Sequence, residues 1–266
     1  MSMSIGCVGC GNMGGAILAG LAASSLDCTL YGHTRTAARM APLEAAGVTR
    51  LDSARELARK ARYVVMAVKP YQIEALLAGM APEFGPDTVV ISVAAGISIA
   101  RLQAAVAGRC PVVRCMPNTP ALVGKGVFAL CFDDKVPAES KEDILRFFSQ
   151  LGVCLELPES RFTAFSALIG AGPAYVFGMM QGLVQAGVTL GLGRKDCRDM
   201  VAALFEGSAV MAARSDTPLM ELRDQVCSPG GLTIAGVNVL DRAGLSGLLV
   251  DAVLAADERG REMEKE

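Results

Sequence analysis

Histidine is nearly missing from this chain: His33 is the only one in 266 residues. Cys7 and Cys10 form a C-x-x-C, but no second such pair follows and no further histidine could complete a tetrahedral zinc site. The pair reads as coincidence in an apolar strand, and no metal is expected. A basic run is missing too. Lys plus Arg number 25 against 27 Asp plus Glu, a formal net charge of −2, so a nucleic acid backbone has no cationic track to follow and is not an expected partner. No signal peptide opens the chain, and its nine cysteines are scattered through apolar segments such as those of Cys28, Cys131 and Cys154. They read as reduced core thiols and place the chain in the cytoplasm. Internal repeats and low-complexity tracts are also absent.

The longest absence is of charge. From Phe162 to Gly193 there is no Asp, Glu, Lys, Arg or His. Gly178 and Gly182 make a G-x-x-x-G in that run, the mark of packed membrane helices. Gln181, Gln185, Thr189 and the Gly170, Gly172, Pro173 cluster weaken insertion, and a helix apolar on every side is equally at home in a protein interior. The buried helix is the reading taken, with no membrane. A domain of about 100 residues can rarely surround such a helix alone, so its second face is expected against another copy of the chain, as a homodimer.

The sequence that remains alternates two patterns. Apolar strands are expected at Met3 to Val8, Cys28 to Tyr31, Tyr63 to Val68, Thr88 to Val93 and Pro111 to Cys115. Helical spacing separates them, for example over Thr36 to Ala46, Tyr71 to Met80 and Ile99 to Ala107. Almost wholly apolar strands alternating with helices imply a parallel sheet covered on both faces, a doubly wound α/β domain. After Pro158 only helical spacing is found, so the expected division is an α/β domain over 1–160 and an all-helical domain over 161–266. The charged end, Asp257 to Glu266, reads as a solvated helix terminus that frays.

The first strand runs into Gly9-Cys10-Gly11-Asn12-Met13-Gly14 and then a helix. In that setting Gly9 permits the tight turn, Gly11 lets backbone approach a pyrophosphate, and Gly14 lets the helix lie close to the sheet. Amides at the helix start would hold the phosphates. At the end of the second strand an NAD enzyme usually offers an acid to the ribose; here the residues are Gly32-His33-Thr34-Arg35. A guanidinium and a hydroxyl suit a 2′-phosphate, so Thr34 and Arg35 point to NADPH, with NADH left open. His33 reads as loop or adenine-side packing. Two further loops are expected at the carboxyl edge of the sheet, Ala67-Val68-Lys69-Pro70 and Ala94-Ala95-Gly96. Met116-Pro117-Asn118-Thr119-Pro120 reads as a stiff turn that presents polar groups, Asn118 among them, near the nicotinamide.

In the second half, Val226-Cys227-Ser228-Pro229-Gly230-Gly231-Leu232-Thr233 is a turn running into a helix. Its free amides and the hydroxyls of Ser228 and Thr233 suit a small carboxylate; a plain N-cap by Ser228 fits as well.

Taken with Val68-Lys69-Pro70, Arg114 to Pro120 and Gly170-Ala171-Gly172-Pro173-Ala174-Tyr175, these motifs make the chain resemble the pyrroline-5-carboxylate reductase family along essentially its whole length. The Ser-Pro-Gly-Gly segment is specific to that family and the glycine loop is not. The resemblance implies a Rossmann domain followed by a helical domain that dimerises by interlocking helices and builds larger rings of dimers. It implies reduction of a cyclic imine by NADPH to give L-proline. By position, Val226, Ser228, Gly230, Gly231 and Leu232 would surround the substrate carboxylate, and Thr233 would hydrogen-bond the ring nitrogen. Asp216 would act near that nitrogen through water, and Gln225 would lie near the cofactor. Relatives often have asparagine where this chain reads Asp52-Ser53-Ala54, which leaves Ser53 as the candidate there. Two rivals are weighed. A β-hydroxyacid dehydrogenase would need a lysine soon after Gly170 to Gly172, and none precedes Lys195. A non-catalytic redox sensor would lack the Ser228 to Thr233 segment.

Overall fold

The computed structural model describes residues 3–263. Eight strands form one sheet: β1 (Met3–Val8), β2 (Cys28–His33), β3 (Thr49–Arg50), β4 (Tyr63–Met66), β5 (Val89–Ser92), β6 (Val112–Met116), β7 (Gly126–Phe132) and β8 (Gly152–Glu156). Their spatial order is β3-β2-β1-β4-β5-β6-β7-β8. Side chains of β1 alternate across the sheet. Ile5 and Cys7 join one core cluster and Val8 the other. Helix α1 (Asn12–Ala22) covers the first face with Ile17, Leu18 and Leu21 fully buried, each side chain worth about 1.5–3 kcal/mol. On the opposite face lie α3 (Ala54–Lys60), α4 (Pro70–Met80) and α5 (Ile99–Ala105), through Leu57, Ile73, Leu77 and Leu102. Both faces are covered, as expected for a doubly wound domain.

The sheet departs from a purely parallel one in one place. β6 and β7 pair antiparallel, Arg114 opposite Cys131. Between them a 3₁₀ turn, Thr119–Val123, carries Pro120 and ends at Gly124 with φ 69°, which reverses the chain without a crossover helix. Helix α6 (Ala138–Ser149) then returns the chain to β8, parallel to β7, and packs Ile144, Phe147 and Phe148 against the first core cluster. The helix expected over Thr36 to Ala46 is broken into a 3₁₀ turn, Ala37–Arg39, and a short α2 (Ala41–Ala45). Pro42 has no N–H to give a helix running through Ala38, which is where the break falls.

Two compact units divide at Ala171/Gly172, and the segment from Asp257 onward belongs to the first unit. Packing is the reason. Helix α7 (Phe162–Phe165) buries Phe162 and Phe165 against Ala129 of β7, in a cluster that also holds Met116 and Ile169. A π-helical stretch, Ser166–Gly170, follows. The charged C-terminal end does not fray within the described residues. It stays helical to Met263, and a Cβ on Gly260 would come within 2.7 Å of Thr163 Cγ2; residues 264–266 lie outside the described residues.

The second unit is all helical: α8 (Gly172–Thr189), α9 (Arg194–Ala213), α10 (Leu219–Gln225), α11 (Leu232–Arg242) and the first part of α12 (Leu245–Met263). Val184 of α8 packs on Cys197 and Val201 of α9. Within the single chain the uncharged α8 is largely uncovered. Val184 is its one buried residue, whereas Phe177 is 64% exposed and Leu183 46%. By length and composition alone the stretch Glu159–Thr189 is long and apolar enough to cross a membrane. Too few layers of chain lie over it within its own unit to hide both sides.

Candidate active site

β1 sits between β2 and β4, so the chain leaves the centre of the sheet in opposite directions on its two sides. That switch point opens a crevice at the carboxyl ends of the strands. A cleft of about 1020 Å³ lies there, at the upper end of the range for small-molecule sites. Its walls are Gly9, Gly11, Asn12 and Met13 after β1, His33, Thr34 and Arg35 after β2, Ala67, Val68, Lys69 and Pro70 after β4, and Ala94 and Ala95 after β5. All of these are among the cofactor candidates read from the sequence, and the fold brings them together; Cys10, Gly14, Ser53, Asn118 and Gln225 do not line the cleft.

The glycines divide their work by geometry. Gly9 has φ 97°, and a Cβ there would lie 2.7 Å from the Ala67 carbonyl oxygen. Its N–H donates to the His33 carbonyl at 2.8 Å, closing β1 against β2. Gly14 does not line the cleft; a Cβ on it would meet the Gly9 carbonyl oxygen at 2.2 Å, so it sets how close α1 lies to the sheet. Gly11 is the N-cap of α1 and supplies no capping side chain. The first amides of that helix are therefore open to an anion, where backbone donors and the helix dipole act together.

Charge in the cleft is of one sign. Arg35, Arg39 and Lys69 line it, and no carboxylate does. His33 is held by its Nδ1, which donates to the Leu51 carbonyl at 3.0 Å. The cleft thus has an open helix start, a glycine surface that any side chain would fill, and cationic walls, and it fits a dinucleotide phosphate.

Three candidates in this unit have other roles. Cys10 turns its thiol into the core, 2% exposed, towards the His33 carbonyl oxygen at 3.7 Å. Its contact with Cys7 holds the Cys10 thiol below the usual range, against desolvation, while the same contact and burial push Cys7 well above it. Ser53 caps α3, its hydroxyl accepting from Glu56 N at 3.1 Å, and does not line the cleft. Asn118 is a buried strut: Oδ1 accepts from Val127 N at 2.9 Å and Nδ2 donates to the Ile169 carbonyl at 3.3 Å. Both ends of its amide are spent on the fold. Arg39, conversely, is a cleft residue the sequence reading missed. Its signal was available, since it stands four residues after Arg35.

In the second unit, Val226-Cys227-Ser228-Pro229-Gly230-Gly231 forms the loop from α10 to α11. Gly230 takes φ 65°, and Gly231 N donates to the Ser228 carbonyl at 3.0 Å. A Cβ on Gly231 would lie 2.2 Å from Ser228 Oγ, so the hydroxyl lies over the glycine. Gly231 is the N-cap of α11 and makes no side-chain cap, and Leu232 and Thr233 begin the helix. Ser228 therefore does not cap the helix by its side chain, and the amides at this helix start are open as well. Val226 is 60% exposed and Leu232 95%, so the loop stands clear of its own unit. Gln225 is the exposed last residue of α10, and Asp216 is exposed in the connection from α9 to α10. Arg223 pairs with Asp224 at 3.0 Å and Asp241 at 3.3 Å, and the hydrogen bond to Asp224 raises its pKa.

A family model for pyrroline-5-carboxylate reductase dimerisation matches residues 159–263. A model described as NADP oxidoreductase, coenzyme F420-dependent, matches residues 4–96. The pyrroline-5-carboxylate reductase of Corynebacterium melassecola is 35% identical over 98% of this chain and 99% of its own length. A pyrroline-5-carboxylate reductase structure from Coxiella burnetii superposes with TM-score 0.91 at 29% identity, covering 99% of each chain. The Plasmodium falciparum pyrroline carboxylate reductase crystallised with NADP bound superposes with TM-score 0.86 at 31% identity, covering 98% of each chain. With likeness of this degree running the full length of both units, the chain belongs to the pyrroline-5-carboxylate reductase family.

Proposed function

We propose that this protein reduces pyrroline-5-carboxylate to L-proline with NADPH. The observation that carries the reading is a pair of uncapped helix starts, each entered through glycine. One, at Gly11, lies in a cationic cleft; the other, at Gly231, lies in a small hydroxyl-bearing loop. The first suits a dinucleotide phosphate and the second a single carboxylate.

NADPH, when bound, supplies the hydride that adds to the imine carbon. The chain's own residues bind and orient. The main-chain amides of Asn12 and Met13 receive the pyrophosphate, Gly9 and Gly11 leave room for it, and Thr34 and Arg35 hold the 2′-phosphate. Val226, Ser228, Gly230, Gly231 and Leu232 enclose the substrate carboxylate, and the Thr233 hydroxyl meets the ring nitrogen. As hydride adds to carbon, the C=N π pair moves onto nitrogen, which keeps its proton, so the product is a neutral secondary amine that takes a second proton from water. Asp216, acting through water, stabilises the protonated imine. A protonated imine is already electrophilic, so position supplies most of the rate.

The enzyme works in the cytoplasm as a homodimer that covers the exposed faces of α8 and its neighbours, and dimers assemble into rings. A stable monomer in sedimentation at low protein concentration would remove the dimer. For the activity, nicotinamide absorbance is followed with five- and six-membered cyclic imino acids and with both nucleotides. Turnover of the five-membered imine is expected, fastest with NADPH; binding of NADPH with no turnover would favour a redox sensor instead.

A further inference from the structure

Arg39 ends the 3₁₀ turn Ala37–Arg39 beyond β2. Its neighbour Met40 is fully buried and packs on Gly32, where a Cβ would lie 2.8 Å from Met40 Cε. The backbone is thereby anchored while the Arg39 side chain stays exposed. Its Nη1 lies 3.1 Å from the point a Cβ on Gly11 would occupy. The guanidinium thus reaches from the second strand's loop to the glycine turn of the first, over the open start of α1. Among the described residues it has no carboxylate partner.

Resting on the reading that this cleft holds a nicotinamide dinucleotide, we propose that Arg39 is a clamp on the pyrophosphate, separate in function from Arg35. The ribose lies at the end of the second strand and the pyrophosphate at the first glycine turn. Arg35 follows the end of β2 directly and suits the 2′-phosphate, which only NADPH carries. Arg39 lies over Gly11 and suits the pyrophosphate, which NADPH and NADH share. A planar guanidinium binds phosphate oxygens two at a time, and here it stands beside the glycine turn that opens α1.

The test is equilibrium binding of NADPH and of NADH, read by nicotinamide fluorescence without substrate. Arg39→Ala is expected to weaken both nucleotides by the same factor, on the order of tenfold, as loss of one charged hydrogen-bonding group predicts. Arg39→Lys, which keeps the charge and loses the fork, recovers part of that loss. Arg35→Ala weakens NADPH and leaves NADH unchanged. An Arg39→Ala effect confined to NADPH, or no effect on either nucleotide, overturns the assignment. Wild-type protein that binds neither nucleotide would overturn the functional reading itself, and the role of Arg39 with it.

Discussion

Arg114 Nη1 meets Glu159 Oε1 at 3.0 Å, and the same carboxylate oxygen accepts from Ile99 N at 2.8 Å. Arg114 also lies over the Phe162 ring, 4.7 Å from its centroid. One side chain from the segment after β8 therefore ties the end of β6 to the start of α5, and so braces the two loops that begin at Ala94 and Met116. The Arg114 side chain is 7% exposed and that of Glu159 34%, so the pair is only partly screened by water.

Glu159→Ala removes both contacts. It is expected to lower stability by about 1–3 kcal/mol, measured by urea unfolding. Glu159→Gln keeps an acceptor for Ile99 N and should lose less; equal losses in the two variants would show that the hydrogen bond to α5 contributes nothing.

Gly14→Ala sets a methyl carbon 2.2 Å from the Gly9 carbonyl oxygen. The helix must back away from the sheet, with an expected cost above about 2 kcal/mol and loss of NADPH binding. Gly15→Ala is the control, since its nearest neighbour would be Cys10 O at 3.8 Å. That change should raise the melting temperature, by about 0.5–1 kcal/mol in stability, because alanine favours the helix. If Gly14→Ala melts with wild type, the close approach of α1 is not required.

Thr233→Ala is expected to lower kcat/KM for the imine by about tenfold, the worth of one hydrogen bond near the reacting atom, with NADPH affinity unchanged. Loss of nucleotide affinity and turnover together would argue against the hydroxyl acting on the ring nitrogen.

Burial pushes the Cys110 thiol up to about 12 and the Cys154 thiol up to about 11 from the usual 9.0. In the unfolded chain both ionise near 9.0. Their contribution is whole below that pH and is lost as pH rises towards the folded values, by up to about 1.4 kcal/mol per pH unit for the buried Cys110 and by less for the half-buried Cys154, which water screens. Urea midpoints taken from neutral pH into the alkaline range should fall, and Cys110→Ala should flatten the decline. An unchanged slope in that variant would remove Cys110 as a cause.

The glycine loop was legible because its requirements are local. A strand, a left-handed residue and a close helix fix residue types within Gly9 to Gly14, and neighbours in sequence are enough to read them. The Ser228 to Thr233 turn was legible for the same reason. Asn118 and Ser53 were not. Polar residues at those positions suggest a ligand, but whether an amide faces a cleft or braces Val127 and Ile169 depends on partners 9 and 51 residues away. The strand β7 was missed although Gly126–Phe132 is largely apolar, since nothing in its pattern announces a reversal of direction.

By itself, then, the sequence determined the five apolar parallel strands of the first 116 residues, the two glycine turns that open helices, and the family. Short-range periodicity and backbone constraints carry those facts. Tertiary structure alone decided that Phe162 and Phe165 belong to the first unit, that Arg39 lies over Gly11, and that α8 stands largely uncovered within one chain. Each depends on which surfaces meet, and burial is a property of the packed assembly rather than of the residues that enter it.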